Sequence, residues 1–169
     1  MLGLIIKNSL VLSVVVFIWS TWGNFFAIFS VKPDIVLILI VWMGLHQGAF
    51  SSQFSGFIGG LIEDILSLSP IGFHSSSRTL TGFIFGSIRG YIGLDAIIVP
   101  ILATITAFIL QAIWFQIITS VFQIATAHSP LVSVEFVIGL FYTALISPVV
   151  FILCEFTSGR FNRLMKRWL

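Results

Sequence analysis

The sequence predicts an all-α integral membrane protein with six transmembrane helices, of which the second and third are short. Composition is the first observation: 58% of the residues are hydrophobic and 8% are charged, with a mean hydropathy of +1.14, whereas about 25% of a typical soluble domain is charged. The apolar runs are also continuous, unlike the alternating strands of a β-barrel. Finally, about 20 residues per crossing helix allow six crossings in 169 residues. We therefore expect one transmembrane domain, residues 1–169.

Six apolar segments follow one another along the chain. They cover about residues 9–30, 34–47, 49–66, 74–92, 96–124 and 131–157. The second segment is short, because its helical residues rise only about 21 Å at about 1.5 Å each, less than a hydrocarbon core of about 30 Å. Segments two and three therefore either cross fully or form a re-entrant helical hairpin buried among longer helices.

The distribution of Lys and Arg predicts the orientation of the six segments. One side of the membrane collects Lys7, Arg89, Arg160, Arg163, Lys166 and Arg167, and the other collects Lys32 and Arg78. Because basic residues favour the cytoplasmic side, we expect both termini in the cytoplasm. The first run ends in NFFAIFS without a small-residue cleavage site, so we interpret it as a helix and not as a signal peptide.

Segments three and four each carry a stripe of small residues on one helical face. Gly56 and Gly60 lie on the polar face of segment three, and Gly82, Gly86 and Gly90 lie on one half of segment four. Small residues let helix backbones approach closely in lipid, where no hydrophobic force acts between helices. We therefore expect the two stripes to pack against each other.

Two adjacent carboxylates, Glu63 and Asp64, lie at the end of the glycine face of segment three. A carboxylate near lipid is costly unless it is paired or hydrogen-bonded, and Arg78 on segment four lies at the same end. We predict that Arg78 neutralises one acid, with Glu63 and Arg78 as the counter-charge pair. Asp64 is predicted to accept hydrogen bonds from the backbone of the turn that follows, and a ligand-binding or partner-binding acid is the alternative.

The stretch SLSPIG after the two acids predicts a turn that leads into segment four. Ser69 is a candidate N-cap, Pro70 suits a first helical position, and Gly72 permits dihedral angles that other residues avoid. His46 and His74 are expected near helix ends at the membrane interface.

An intramembrane enzyme is the least favoured class. His46, His74, Glu63 and Asp64 could be imagined as its residues, but the sequence has no H-E-x-x-H motif, no nucleophile elbow, no metal-ligand cluster and no phosphate-binding loop. We therefore expect no catalytic residues, no cofactor, no metal and no nucleic-acid partner.

Residues 32–80 resemble the MreD family of rod shape-determining membrane proteins. The stretch KPDIVLILIVWMGL opens its helix with basic-Pro-Asp, as that family does. The stretch GFIGGLIEDILSLSPIGFHSSSRTL contains the family pattern Gly-x-x-x-Asp-x-x-Ser. The glycine that ends this pattern in the family is matched by Gly72, one residue beyond the family spacing. Glu63 has no position in that pattern. The structural motif of this region consists of Pro33, Asp34, Gly56, Gly60, Asp64, Ser67, Pro70 and Gly72, preceded by Lys32.

The resemblance implies a non-enzymatic, multi-pass scaffold of the bacterial cytoplasmic (inner) membrane. MreD-like proteins bind MreC and belong, with MreB, RodA and a class B penicillin-binding protein, to the machinery that organises peptidoglycan synthesis and cell shape. The resemblance also implies a fold like that of the substrate-binding subunits of energy-coupling-factor transporters, so a vitamin-transporter subunit is the alternative function. Its candidate polar groups are Gln111, Gln116, Gln123, His128 and Glu135, although scattered glutamines more often join helices.

Overall fold

The described residues of the computed structural model form an all-helical fold. These residues are 2–27, 31–67, 69–91, 97–122 and 133–158. The helices are α1 (Leu2–Trp22) with a 3-10 turn at Gly23–Phe26, α2 (Ile35–Gln47), α3 (Ala49–Ser67), α4 (Phe73–Ser87), α5 (Ile98–Val121) and α6 (Val134–Thr157). They follow the order of the six predicted segments, but α1 begins earlier than predicted and α4 ends earlier.

Three helical stretches are long and apolar enough to cross a membrane. They are Ile5–Phe26, Ile98–Val121 and Val134–Thr157. Large apolar side chains cover the outside of these stretches, including Phe17, Ile117 and Leu145, which are 62%, 48% and 74% exposed. Because soluble monomers rarely expose large continuous apolar patches, this exterior fits a lipid environment.

Helix α2 lies at the centre of the bundle. Every residue from Val36 to His46 is buried, and α2 contacts each of the other five α-helices. A helix that is apolar all round is expected to be enclosed. Its 13 residues rise only about 20 Å, and neighbouring protein surrounds that short length.

Helix α3 has 19 residues, fewer than α1, α5 and α6, and unlike α2 it is enclosed on one face only. Its small and polar residues are buried, whereas Phe50, Phe54 and Phe57 are each about half exposed. The physical reason is the composition of its two faces, because only the small residues permit another backbone to approach closely.

The glycines of α3 and α4 bring the two helix backbones into contact. A Cβ built on Gly86 would lie 2.2 Å from the Cα of Ala49, and one on Gly60 would lie 2.5 Å from the Cα of Ser75. Both contacts are with main-chain atoms, which cannot rotate away as a side chain can. Two further glycines face backbone atoms of the opposite helix at 2.7 Å, namely Gly56 and Gly82.

Gly90 does not belong to this packing surface, so the helix-packing role predicted for it is wrong. Helix α4 ends at Ser87, and Gly90 lies in the following turn with a φ of +89° and open space where a Cβ would lie. A positive φ cannot continue a right-handed helix. Gly90 therefore turns the chain and does not pack helices.

Candidate functional site

The start of α2 is tied to two other helices. Asp34 is the N-cap residue, and its Oδ1 accepts a hydrogen bond from the backbone N–H of Leu37 over 2.9 Å. The backbone N–H of Asp34 donates to Thr143 Oγ1 on α6 over 3.1 Å. The carbonyl of the buried Pro33 accepts from Trp19 Nε1 on α1 over 3.1 Å. These bonds fix the position of the Asp34 carboxylate inside the bundle.

Arg78 on α4 is the centre of a buried charge cluster. Its side chain is 1% exposed, and its Nη2 lies 2.9 Å from Asp34 Oδ2 and 3.0 Å from Glu63 Oε1. Its Nε donates to Glu63 Oε2 over 3.1 Å, and its Nη1 donates to Gln111 Oε1 over 2.7 Å. Gln111 Nε2 donates in turn to Asp34 Oδ2 over 3.3 Å. Asp34, Glu63, Arg78 and Gln111, called here the Arg78 cluster, therefore join α2, α3, α4 and α5.

The Arg78 cluster has a surplus of negative charge when both acids are ionised, because two carboxylates share one guanidinium. Asp34 receives further compensation from the Leu37 N–H and from the positive end of the α2 dipole. Glu63 relies on its two-point contact with Arg78, a strong geometry for such a pair, and its side chain is 23% exposed. Glu63 is therefore the more exposed of the two acids, at 23% against 16% for Asp34, and it has the less internal compensation.

Asp64 caps the first turn of α4 from a different helix. Its side chain is fully buried, its Oδ1 accepts from the His74 N–H over 2.7 Å, and its Oδ2 accepts from the N–H groups of Gly72 and Ser75 over 3.0 and 3.2 Å. His74 Nδ1 lies 2.9 Å from the same Oδ1. The first N–H groups of a helix have no partner within it. The structure thus places Asp64 against the turn, as the sequence predicts.

Ser69 and Pro70 precede α4, so the helix-capping role predicted for Ser69 and the helical position predicted for Pro70 are wrong. The N-cap is Gly72, which has a φ of +105° and makes no side-chain cap. The Oγ of Ser69 lies instead 2.8 Å from the Oγ of Ser67. The reason is that Asp64 already occupies the free N–H groups that a local serine would cap.

Asp64→Asn is expected to destabilise the protein by about 2–4 kcal/mol, since the amide retains one acceptor oxygen and loses the charge that strengthens these bonds. The midpoint of thermal unfolding in detergent measures the effect. Ser69→Ala is the matched control, because Ser69 does not cap α4, and it should change the midpoint little. Equal midpoints for the two variants would contradict the capping role of Asp64.

A cavity of about 300 Å³ lies beside the Arg78 cluster. Its charged and polar lining includes Lys32, Asp34, Glu63, His74, Arg78 and Gln111. Apolar side chains, among them Trp19, Leu66 and Phe108, complete its walls, and it is open on one side. The cavity thus combines accessible charges of both signs with an apolar wall.

The opposite end of α2 holds a buried contact between a histidine and a carboxylate. His46 Nε2 lies 2.6 Å from Glu155 Oε1 on α6, and His46 Nδ1 lies 2.9 Å from the Trp42 carbonyl. A carbonyl only accepts, so Nδ1 is the donor in its contact with Trp42, and Nε2 faces the Glu155 carboxylate. His46 lies near the end of α2, as predicted, and is 5% exposed, while its place at the membrane interface stays a prediction. The sequence reasoning missed Glu155, whose only signal is an acid in the last turn of an apolar helix.

The other predicted polar groups are dispersed. Gln116 on α5 is half-buried, and Glu135 is exposed in the first turn of α6, where it lines a second cavity with Gln111. Within the described ranges, no group of three or more His, Cys, Asp or Glu could hold a metal ion. Outside the described residues lie Gln123, His128, Arg160, Arg163, Lys166 and Arg167.

These features define a class: a helical membrane protein whose polar side chains bind one another inside an apolar exterior. The family model of MreD, described as rod shape-determining protein MreD, matches residues 4–157. The chain therefore belongs to the MreD family, which implies a role in the determination of rod shape. No curated protein and no solved structure matches the chain, so a likeness to energy-coupling-factor transporter subunits remains a prediction.

Proposed function

We propose that the chain is a non-enzymatic scaffold of the rod-shape elongation complex in the bacterial cytoplasmic membrane. The match to the MreD family over residues 4–157 carries this proposal. In this role the chain binds an MreC-like membrane protein and helps to organise peptidoglycan synthesis. MreB, RodA and a class B penicillin-binding protein are its further associates in the same complex.

The internal contacts of the Arg78 cluster support a scaffold. Arg78, Asp34 and Gln111 bind one another, and Asp64 binds the start of α4. These groups hold the helices in one arrangement, and a fixed arrangement presents the same outer surface to each partner. Association of membrane helices depends on such close surface fit, because lipid supplies no hydrophobic force between them.

The proposal includes six crossings with both termini in the cytoplasm. The start of α2, with Lys32 and the Arg78 cluster, then lies at the outer side of the membrane, and Lys7 and Arg89 lie at the inner side, as the bias of basic residues favours. Labelling of Lys32→Cys, but not of Lys7→Cys, by a membrane-impermeant thiol reagent on whole cells tests this orientation. The reverse labelling would contradict it.

Co-purification tests the scaffold role. When the tagged chain is expressed with the MreC-like protein of its own genome and membranes are extracted with a mild detergent, we expect the two to elute together at a fixed ratio. An unrelated single-span membrane protein, expressed at the same level, is the control and should be absent from the eluate. If the MreC-like protein is absent from the eluate and the chain binds a vitamin with nanomolar affinity, the scaffold proposal is overturned in favour of a transporter subunit.

The substrate-binding subunit of an energy-coupling-factor-type vitamin transporter is the second candidate. The cavity of about 300 Å³ favours it, since small-molecule sites commonly begin near that size, about 300 Å³. Against it, most polar atoms of the Arg78 cluster already have partners inside the protein. We therefore rank it second.

A further inference from the structure

Two oppositely charged side chains of the cavity remain accessible after the internal contacts are formed. Glu63 is the more exposed acid of the Arg78 cluster, at 23% against 16% for Asp34. Lys32 also lines the cavity, is exposed, and makes no ion pair within the part of the chain that the structure describes. The cavity therefore offers a carboxylate that can accept hydrogen bonds from a cation and an ammonium that can donate to an anion.

Part of the cavity wall is apolar and meets the outside of the bundle. Trp19, Leu66 and Phe108 line it, and Leu66 is 38% exposed on the outer face of α3. A ligand that enters from the open side can therefore keep an apolar part along Leu66 while its polar part lies among the charges. Only an amphipathic ligand uses both surfaces.

We propose that this cavity binds the headgroup of an aminophospholipid, a ligand in which a primary ammonium and a phosphate are joined by a short chain. The ammonium donates to the Glu63 carboxylate, and the Lys32 ammonium donates to the phosphate, both as charge-assisted hydrogen bonds. The acyl chains leave along the apolar wall towards lipid. The lipid site does not rest on the scaffold role, so either one can fail while the other holds.

The choice of a primary ammonium follows from the acceptor. Glu63 has its two oxygens directed at Arg78 N–H groups, and a carboxylate has lone pairs left for a further donor. A primary ammonium brings three N–H donors, whereas a trimethylated ammonium brings none. Phosphatidylethanolamine should therefore bind in preference to phosphatidylcholine, although both carry the same net charge.

Native mass spectrometry of the full chain in detergent tests this inference. Phosphatidylethanolamine and phosphatidylcholine with identical acyl chains are titrated separately, and we expect the ethanolamine lipid to be retained at about tenfold lower concentration. Glu63→Gln should abolish most of that preference, and Lys32→Gln should weaken the retention of both lipids, because both carry the phosphate that Lys32 contacts. The matched controls are Lys7→Gln and Glu135→Gln, which change exposed charges that do not line this cavity, and they should leave the preference unchanged.

A further measurement distinguishes binding of a lipid headgroup from binding of the free headgroup compound. Free phosphoethanolamine is tested in the absence of lipid: weak retention assigns the site to the lipid, and retention equal to that of the lipid assigns it to a soluble zwitterion. Equal retention of the two lipids by the native chain would overturn the proposal, as would an equal loss in the control variants. If Glu63→Gln folds poorly, Lys32→Gln keeps the test decisive, because Lys32 is exposed and holds no helix in place. Unchanged retention of both lipids by Lys32→Gln would then overturn the proposal.

Discussion

Arg78→Ala is expected to remove most of the folded protein from the membrane. The substitution leaves Asp34 and Glu63 as neighbouring buried or half-buried carboxylates without their cation. Loss of one partner of a buried ion pair costs about 3–5 kcal/mol, and the total stability of a protein is only about 5–15 kcal/mol. The amount of monodisperse protein in fluorescence-detected gel filtration after detergent extraction measures the loss.

Neutralising the acids in the same background separates charge from packing. Asp34→Asn with Glu63→Gln removes the two unpaired charges that Arg78→Ala creates, so we expect the triple variant to recover part of the lost protein. Arg89→Ala is the control, since Arg89 is exposed just beyond the same helix, and it should lie within about 0.5 kcal/mol of the native chain. If the triple variant yields no more monodisperse protein than Arg78→Ala alone, the role of Arg78 as counter-charge is contradicted.

The close contact of α3 and α4 was predictable from the sequence because small residues mark a packing face directly. Gly56, Gly60, Gly82 and Gly86 repeat at helical spacing, and each meets the backbone of the opposite helix. Gly90 continues the same spacing in the sequence but lies beyond the end of α4. Spacing predicts a face and does not predict where a helix stops.

The contacts of the two adjacent acids were also only partly predictable from the sequence. Neighbouring residues on a helix differ by about 100° in direction, so Glu63 and Asp64 were expected to serve different partners, and Arg78 and the turn were the available ones at that end. Asp34 was assigned only to a family motif and not to Arg78. Its contact with Arg78 spans 44 positions of the chain and depends on how α2 is rotated against α4, which a helical wheel does not give.

The pair His46 and Glu155 could not be predicted for the same reason. Nothing near His46 in the sequence indicates α6, whose contact with α2 arises from tertiary packing. Composition predicts that an acid inside an apolar helix needs a partner. The identity of that partner requires knowledge of which helices are neighbours.

Gly86→Ala is expected to destabilise the protein by about 3 kcal/mol, the upper part of the usual range for overpacking. The new Cβ would lie 2.2 Å from the Cα and 2.3 Å from the N of Ala49, so α4 must move away from α3. Such a movement also stretches the bonds of Arg78 and Asp64, which depend on the same two helices. The midpoint of thermal unfolding in detergent should fall clearly.

Gly3→Ala makes the identical chemical change where there is room for it. Gly3 lies in the first turn of α1 with no atom within 4 Å of the added Cβ, and alanine forms helices more readily than glycine, by at most about 1 kcal/mol. The two substitutions should therefore shift the unfolding midpoint in opposite directions. If Gly86→Ala were as stable as Gly3→Ala, the backbone contact at Ala49 would not limit the packing of α3 and α4. Helix propensity favours alanine at both positions, so only close packing can reverse the sign at Gly86.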